Sequence, residues 1–184
     1  MAADASDALT VSFLTDDTLS VADIRTGLRA MTLARRAVPV LAGSAYRNAL
    51  SIEPLLDAIV DWLPSPDDRP APAAVVDGAA VTVGTGDADP LAALVFKVVH
   101  DDHGSLSYIR IYGGTMREGD MLWNASLEAP VRVGRLYVVH ADRKSAVREA
   151  HAGSIVAIAG LKDALTGHTL STRAHPYALE TISA

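Results

Sequence analysis

The 184-residue sequence contains no cysteine. That excludes disulfides, thiolate zinc sites and a cysteine nucleophile, and it fits a reducing compartment. Long apolar runs are missing as well. Stretches such as residues 91–96 and 155–161 fall far short of the ~20 residues that a membrane-spanning helix needs. Residues 1–7 carry two acids and no base, unlike a secretory signal or an Arg-rich transit peptide. A Gly-x-Ser-x-Gly elbow, a paired general acid and base, and a Walker-type loop ending in Gly-Lys-Ser/Thr are absent too. These absences point to a cytoplasmic protein with no membrane partner, and catalysis by this chain alone is not expected.

What is present is apolar: 49% of the residues are hydrophobic, enough to bury a core. The net charge of −6 is unevenly spread. Residues 1–89 hold 6 Lys/Arg against 13 Asp/Glu, a net of −7, and residues 90–184 hold 10 against 9, a net of +1. Bases of the second half cluster at Arg132, Arg135, Arg143, Lys144 and Arg148. Such a cluster can meet phosphate whatever the total charge, because distant acids are screened over ~8 Å at physiological salt. The plainer reading of the same residues is the solvated edge of a β-sheet.

Ser20 followed three residues later by Asp23 marks a helix start, and Val21, Ile24, Leu28 and Met31 continue at helical spacing, which predicts a helix over about 20–34. Residues 38–42 form a short β-branched apolar run and read as a strand buried on both faces. A small-residue loop, Gly43-Ser44-Ala45, follows it. A second helix is predicted over about 51–62, with Leu55, Leu56, Ile59 and Leu63 on its apolar side and Pro54 in the first turn. This helix-strand-loop-helix order is that of an α/β sheet protein, in a piece too small to be a whole one. Four prolines in residues 64–72 then stop the helix and mark a linker. Beyond residue 90 short strand-like runs recur, over 91–99, 105–112, 121–124, 131–139, 154–161, 169–172 and 177–179, with turn clusters between them. Many short strands so punctuated indicate a closed antiparallel barrel or a sandwich. The expected organisation is an α/β part over 1–63, a Pro-rich linker and lead-in over 64–90, and an all-β barrel over 91–184.

His100-Asp101-Asp102-His103 could in principle hold zinc, but it sits between two predicted strands, ends at Gly104 and has no evident distant ligand, so the ordinary reading is a hairpin loop. Gly84-x-Gly86 lacks the strand-to-helix setting of a phosphate cradle. Gly43, Ser44 and Ala45 are better placed, since a loop after a buried strand and before a helix is where open α/β sheets bind ligands. A tight turn that merely needs small residues remains the alternative.

Several collinear segments resemble elongation factor G of the translation apparatus. Val38-Pro39-Val40-Leu41-Ala42-Gly43-Ser44-Ala45 and Pro54-Leu55-Leu56-Asp57-Ala58 are similar to the end of that family's GTP-binding domain. Residues 91–98, Arg110-Ile111-Tyr112-Gly113-Gly114-Thr115, His140-Ala141-Asp142, Gly160-Leu161-Lys162 and Thr166-Gly167-His168 continue into its second-domain β-barrel. The resemblance covers roughly residues 20–182. It implies that the chain is a fragment of a translational GTPase acting in ribosomal translocation: an α/β remnant of a G domain, then a translation-factor-type antiparallel barrel. It implies further that Gly43, Ser44 and Ala45 are a guanine-contacting loop, and that the barrel docks on the small ribosomal subunit, on rRNA and protein, with Arg110, Arg132, Arg135, Arg143 and Lys144 as contact candidates. GTP and Mg2+ belong to the full-length parent. The phosphate-binding loop, the switch segments and the Asn-Lys-x-Asp motif are not in this sequence, so the chain alone is expected to be inactive and to need neither. A ribosome-recycling paralogue of the family and a stand-alone barrel that binds without GTP are the alternative readings. The sequence departs from the family's usual pattern at residues 49–53 and at His168, where Asp is usual.

Overall fold

In the second half of the chain, alternating apolar residues pair into an antiparallel sheet whose connections force it to close. The computed structural model describes residues 2–101 and 104–179. Two compact units are formed, Met1–Arg69 and Pro70–Ala184.

Three helices make up the first unit: α1 (Asp7–Asp16), α2 (Val21–Leu33) and α3 (Ile52–Trp62). The α2 start is as expected, with Ser20 and Asp23 forming a reciprocal capping box. Helix α1 was not anticipated. Ser6 caps it by accepting from the Leu9 amide, but none of its residues is buried. Gly27 of α2 is buried because the backbone of Ala2 lies against it, where a Cβ would come within 2.6 Å of the Ala2 carbonyl oxygen. Arg29 ties the unit together. Its guanidinium donates to the Asp61 carbonyl at 2.9 Å and to Asp68 Oδ2 at 2.6 Å, joining α2 to the end of α3 and to the short 3-10 turn Pro66–Asp68.

The buried strand expected over residues 38–42 is not formed. Val38 and Val40 are 84% and 90% exposed, and the segment has no ladder partner among the described residues. A β-branched apolar run becomes a strand only when neighbours satisfy its backbone, and this unit supplies none. The expected apolar side of α3 is therefore uncovered: Leu55, Leu56, Ile59 and Leu63 are all exposed, while Ala58 is buried.

The second unit begins with a hairpin inside the proline-rich lead-in, β1 (Ala73–Val76) and β2 (Ala79–Thr82). Asp77 and Gly78 occupy its turn, both at positive φ, as a two-residue hairpin turn of this kind requires. The remaining strands are β3 (Ala92–Asp101), β4 (Gly104–Gly113), β5 (Met116–Arg117), β6 (Met121–Asn124), β7 (Ala129–Arg132), β8 (Leu136–His140), β9 (Arg143–Val147), β10 (Glu149–Ala150), β11 (Ile155–Ala159), β12 (Thr169–Ser171) and β13 (Ala178–Leu179). Eight of them form one antiparallel sheet in the order β7-β6-β12-β3-β4-β11-β8-β9; β13-β1-β2 and β10-β5 form two small sheets.

Closure follows from one connection. In the sheet order β7 and β8 stand six strand spacings apart, roughly 29 Å on a flat sheet. Along the chain they are joined only by Val133, Gly134 and Arg135, which reach about 15 Å at most. The sheet must therefore curl, and the expected single run over 131–139 is two strands with this connection between them. Val133 pins the closure by donating to the Asp120 carbonyl at 2.9 Å and accepting from the Gly119 amide at 3.0 Å.

Inside lies one apolar cluster that includes Val95, Ile109, Ile111, Met116, Leu136, Ile158 and Leu170. A second, smaller cluster of Ala74, Val83, Ala92, Leu94 and Leu179 joins the β13-β1-β2 sheet to the outer surface of β3. Alternation along β4 gives one packed and one wetter face: Ile109 and Ile111 are fully buried, while Tyr108, Arg110 and Tyr112 between them are half-buried. Among the described residues no helix is long and apolar enough to cross a membrane.

Candidate nucleic-acid interface

Gly43, Ser44 and Ala45 lie in an exposed loop that its own hydroxyls organise. The Ser44 amide donates to Ser51 Oγ at 3.0 Å, Ser51 Oγ donates to the Asn48 carbonyl at 2.7 Å, and Ser44 Oγ accepts from the Arg47 amide at 3.2 Å. Gly43 is needed here, because a Cβ would lie 2.9 Å from Ser51 Oγ. The arrangement leaves small residues and backbone exposed to solvent. It offers nothing for phosphates or for magnesium: the Ser44 amide is already engaged, and no group of three or more metal-ligating side chains exists among the described residues. The residues present thus do not fit the phosphates or the metal of a nucleotide. Of the candidate zinc loop, Asp102 and His103 lie outside the described residues; Asp101 and Gly104, flanking them, pair across the β3–β4 hairpin.

The five basic candidates are not one patch. Arg110 lies on β4 opposite Ile155 and Leu94, with its guanidinium 5.8 Å from the Tyr112 ring centroid. Arg143 and Lys144 are neighbours on the edge strand β9, where they pair with His140 and Val139 and so point to opposite faces of the sheet. Arg132 ends β7, and Arg135 sits just before β8, its carbonyl accepting from the Ala159 amide at 3.1 Å. The barrel-closing connection brings these last two to one cleft of about 690 Å³.

Lys162, which the reading of the basic cluster overlooked, lines the same cleft from the loop after β11. It stands in the Gly160-Leu161-Lys162 segment, far along the chain from Arg132 and Arg135, so only the closure of the barrel reveals it. Three cations thus line the cleft with two carboxylates, Glu118 and Asp163, and with exposed apolar side chains that include Met121 and Leu127. Among the described residues none of Arg132, Arg135 and Lys162 has a carboxylate oxygen within 4 Å, which leaves all three available to an anion.

Asn124, which lines the cleft, is held in place by His168. The imidazole Nδ1 accepts from the Leu165 amide and from Asn124 Nδ2, each at 3.2 Å, so the ring proton is on Nε2. Asn124, only 1% exposed, uses Oδ1 to accept from the Ser126 and Leu127 amides at 3.1 and 3.3 Å. The imidazole lone pair therefore does what an oxygen acceptor would do there. Elsewhere His151 links Asp87 and Glu149, at 3.3 and 3.8 Å, through its two opposite nitrogens, which prevents all three from facing one ion.

Comparison with known proteins places this barrel. The family described as elongation factor G domain 2 matches residues 90–173. The chain is 44% identical over 182 residues to "Elongation factor G 1" of Geobacter sulfurreducens, covering 97% of this chain and 26% of that protein. It is 37% identical over 182 residues to "Elongation factor G 2" of Syntrophus aciditrophicus, covering 98% of this chain and 27% of that protein. Among solved structures, a crystal structure of a Thermus thermophilus protein matches with a TM-score of 0.65 at 26% identity, covering 93% of this chain and 23% of that one. The chain spans about a quarter of the length of the curated relatives it matches.

Proposed function

Since this chain belongs to the elongation factor G family and carries that family's second domain, we propose that it is a segment of a translational GTPase acting in ribosomal translocation. In this reading the barrel docks on the small ribosomal subunit and the helical unit is the end of the GTP-binding domain. GTP and its magnesium are held by the full-length protein, with the loop at Gly43, Ser44 and Ala45 supplying contacts to the base.

The observation that carries the docking role is the cleft lined by Arg132, Arg135 and Lys162, none of which has an ion pair among the described residues. Exposed guanidinium and ammonium groups on a closed barrel can meet rRNA phosphates without first giving up an ion pair, and phosphate contacts supply affinity that is independent of sequence. Sedimentation of the chain with isolated small subunits across a salt series tests this. Binding that falls steeply with salt supports the reading, and no binding at low salt overturns it.

A further inference from the structure

The outer face of β3, β4, β11 and β8 carries an aromatic row with cations around it. Strand register sets the row out as Lys97, Tyr108, Ala157, Tyr137 and Ala146, each opposite the next across the sheet. Ile109 and Leu136, which flank Tyr108 and Tyr137 along their strands, belong to the core, so both tyrosines point outward. A register shift between Val95 and Lys97 adds Phe96 as an extra residue in β3. Such a bulge re-aims a side chain, and here it sets the Phe96 ring 6.4 Å from that of Tyr108, inclined at 53°. Lys97 Nζ lies 5.6 Å from the Tyr108 ring centroid. Ala157 and Ala146 keep the ground beside Tyr137 low.

The charged positions nearest the row are basic; Asp101, paired with Gly104 at the end of the hairpin, is two outward positions beyond Lys97 on β3. Arg110 occupies the outward position after Tyr108 on β4, and Lys144 pairs with Val139, the outward position after Tyr137 on β8. The registered positions around the row, Leu94, Ile155, Leu106, Val99, Ala159 and Val139, hold no acidic side chain. The β13-β1-β2 sheet covers one end of the face through Ala92, Leu94 and Tyr112; Phe96, Tyr108 and Tyr137 lie beyond that cluster, partly buried.

We propose that this face is a stacking platform for single-stranded RNA, with unpaired bases on Tyr108 and Tyr137 and the backbone held by Lys97, Arg110 and Lys144. The proposal rests on the reading that the barrel meets rRNA and adds that the RNA met here is unpaired. Aromatic rings bind bases through their faces, which a duplex hides, while the surrounding cations meet the phosphates of the backbone. An apolar protein surface would desolvate three cations without partners, which disfavours it.

The test uses the whole chain and two fluorescein-labelled probes, an oligoadenylate of about ten nucleotides and a duplex RNA of equal length, followed by anisotropy at fixed salt. The single strand is expected to bind at least about tenfold tighter than the duplex. Replacing both rings, Tyr108→Leu with Tyr137→Leu, is expected to weaken the single strand by about tenfold per ring and to leave the duplex within about twofold. Should the double variant lose its native circular dichroism, Tyr137→Leu alone and Tyr137→Phe are compared: the first loses about tenfold and the second keeps its ring and its affinity. Equal binding of the two probes by the parent, or an unchanged single-strand affinity in a folded ring variant, overturns the platform. Salt-dependent binding to small subunits then still supports docking, so the two failures are separable. A ring variant that loses small subunits but keeps the oligonucleotide identifies the face as a protein contact and also overturns the proposal.

Discussion

Gly134→Ala probes the three-residue connection that forces the barrel shut. A Cβ on Gly134 would run into the Ala159 carbonyl oxygen, a backbone atom in a ladder strand that has no rotamer to escape into. Relief requires the connection to move away from β11. That stretches the hydrogen bond from the Ala159 amide to the Arg135 carbonyl, worth about 1 kcal/mol, and disturbs Leu136 and Ile158, both fully buried. Overpacking of a core adds about 1–3 kcal/mol. The total, about 2–4 kcal/mol, is a large part of the 5–15 kcal/mol typical of a domain. At roughly 4 °C per kcal/mol for a unit of this size, the barrel should melt about 8–16 °C lower. Unfolding is followed by fluorescence in a Trp62→Phe background, where Trp123 of β6 is the remaining tryptophan and reports on the barrel. Gly160→Ala is the control: it has open space around the new Cβ but a φ of +69°, so it should cost only the left-handed strain of about 1 kcal/mol. A Gly134→Ala barrel within about 0.5 kcal/mol of the parent, or more stable than Gly160→Ala, would refute the closure argument.

Three further outcomes are expected. His168→Ala should destabilise the barrel by about 1–3 kcal/mol, because the Leu165 amide and Asn124 Nδ2 lose their common acceptor, whereas His168→Asp should be much milder; thermal melts of the two variants decide this. In the helical unit, hydrogen bonds from Ser65 and the neighbouring Arg29 hold the Asp68 carboxyl below its usual range. A depressed folded pKa gives stability that is present above the unfolded value and lost as pH falls through the folded one, so Asp68→Asn should flatten acid unfolding below about pH 4, read by Trp62 fluorescence in a Trp123→Phe background. Calorimetry with GTP and GDP should show no tight binding by the chain alone, since one base-contacting loop does not replace a phosphate cradle, and a low-micromolar dissociation constant would overturn the fragment reading.

The barrel was legible where the sequence alternates or carries a turn signal. Residues 105–112 and 121–124 announced β4 and β6 because buried and outward side chains take turns there, whereas β12, buried at all three positions, was marked by the turn cluster before it. Strand β9 was missed because Arg143-Lys144-Ser145 on an edge has no face to bury, so its only signature is its partner β8. Helix α1 was missed for a related reason: Leu9, Val11, Phe13 and Leu14 do not line one side, and none of them is buried. Residues 38–42 misled in the opposite sense. Their composition is that of an interior strand, but a strand exists through its neighbours, and a local sequence cannot say that the neighbours are missing. In the candidate interface the clustering of bases singled out Arg132 and Arg135, which the fold brings to one cleft, and Arg143 and Lys144, which period-two geometry sends to opposite faces. Lys162 needed the closure of the barrel and the outward row at Tyr108 and Tyr137 needed the cross-strand register, neither of which linear spacing contains.

The docking role itself is tested most directly by co-sedimentation of small ribosomal subunits with the parent chain and with Arg132→Gln/Arg135→Gln, at salt concentrations from low to physiological and above. If the two guanidiniums meet rRNA phosphates, log affinity falls linearly with log salt for the parent, and the variant binds more weakly with a slope shallower by about 1.5, roughly 0.7–0.9 for each phosphate left unneutralised. Superimposable curves for parent and variant would remove the cleft from the docking surface, and a parent chain that fails to sediment with small subunits at low salt would contradict the account.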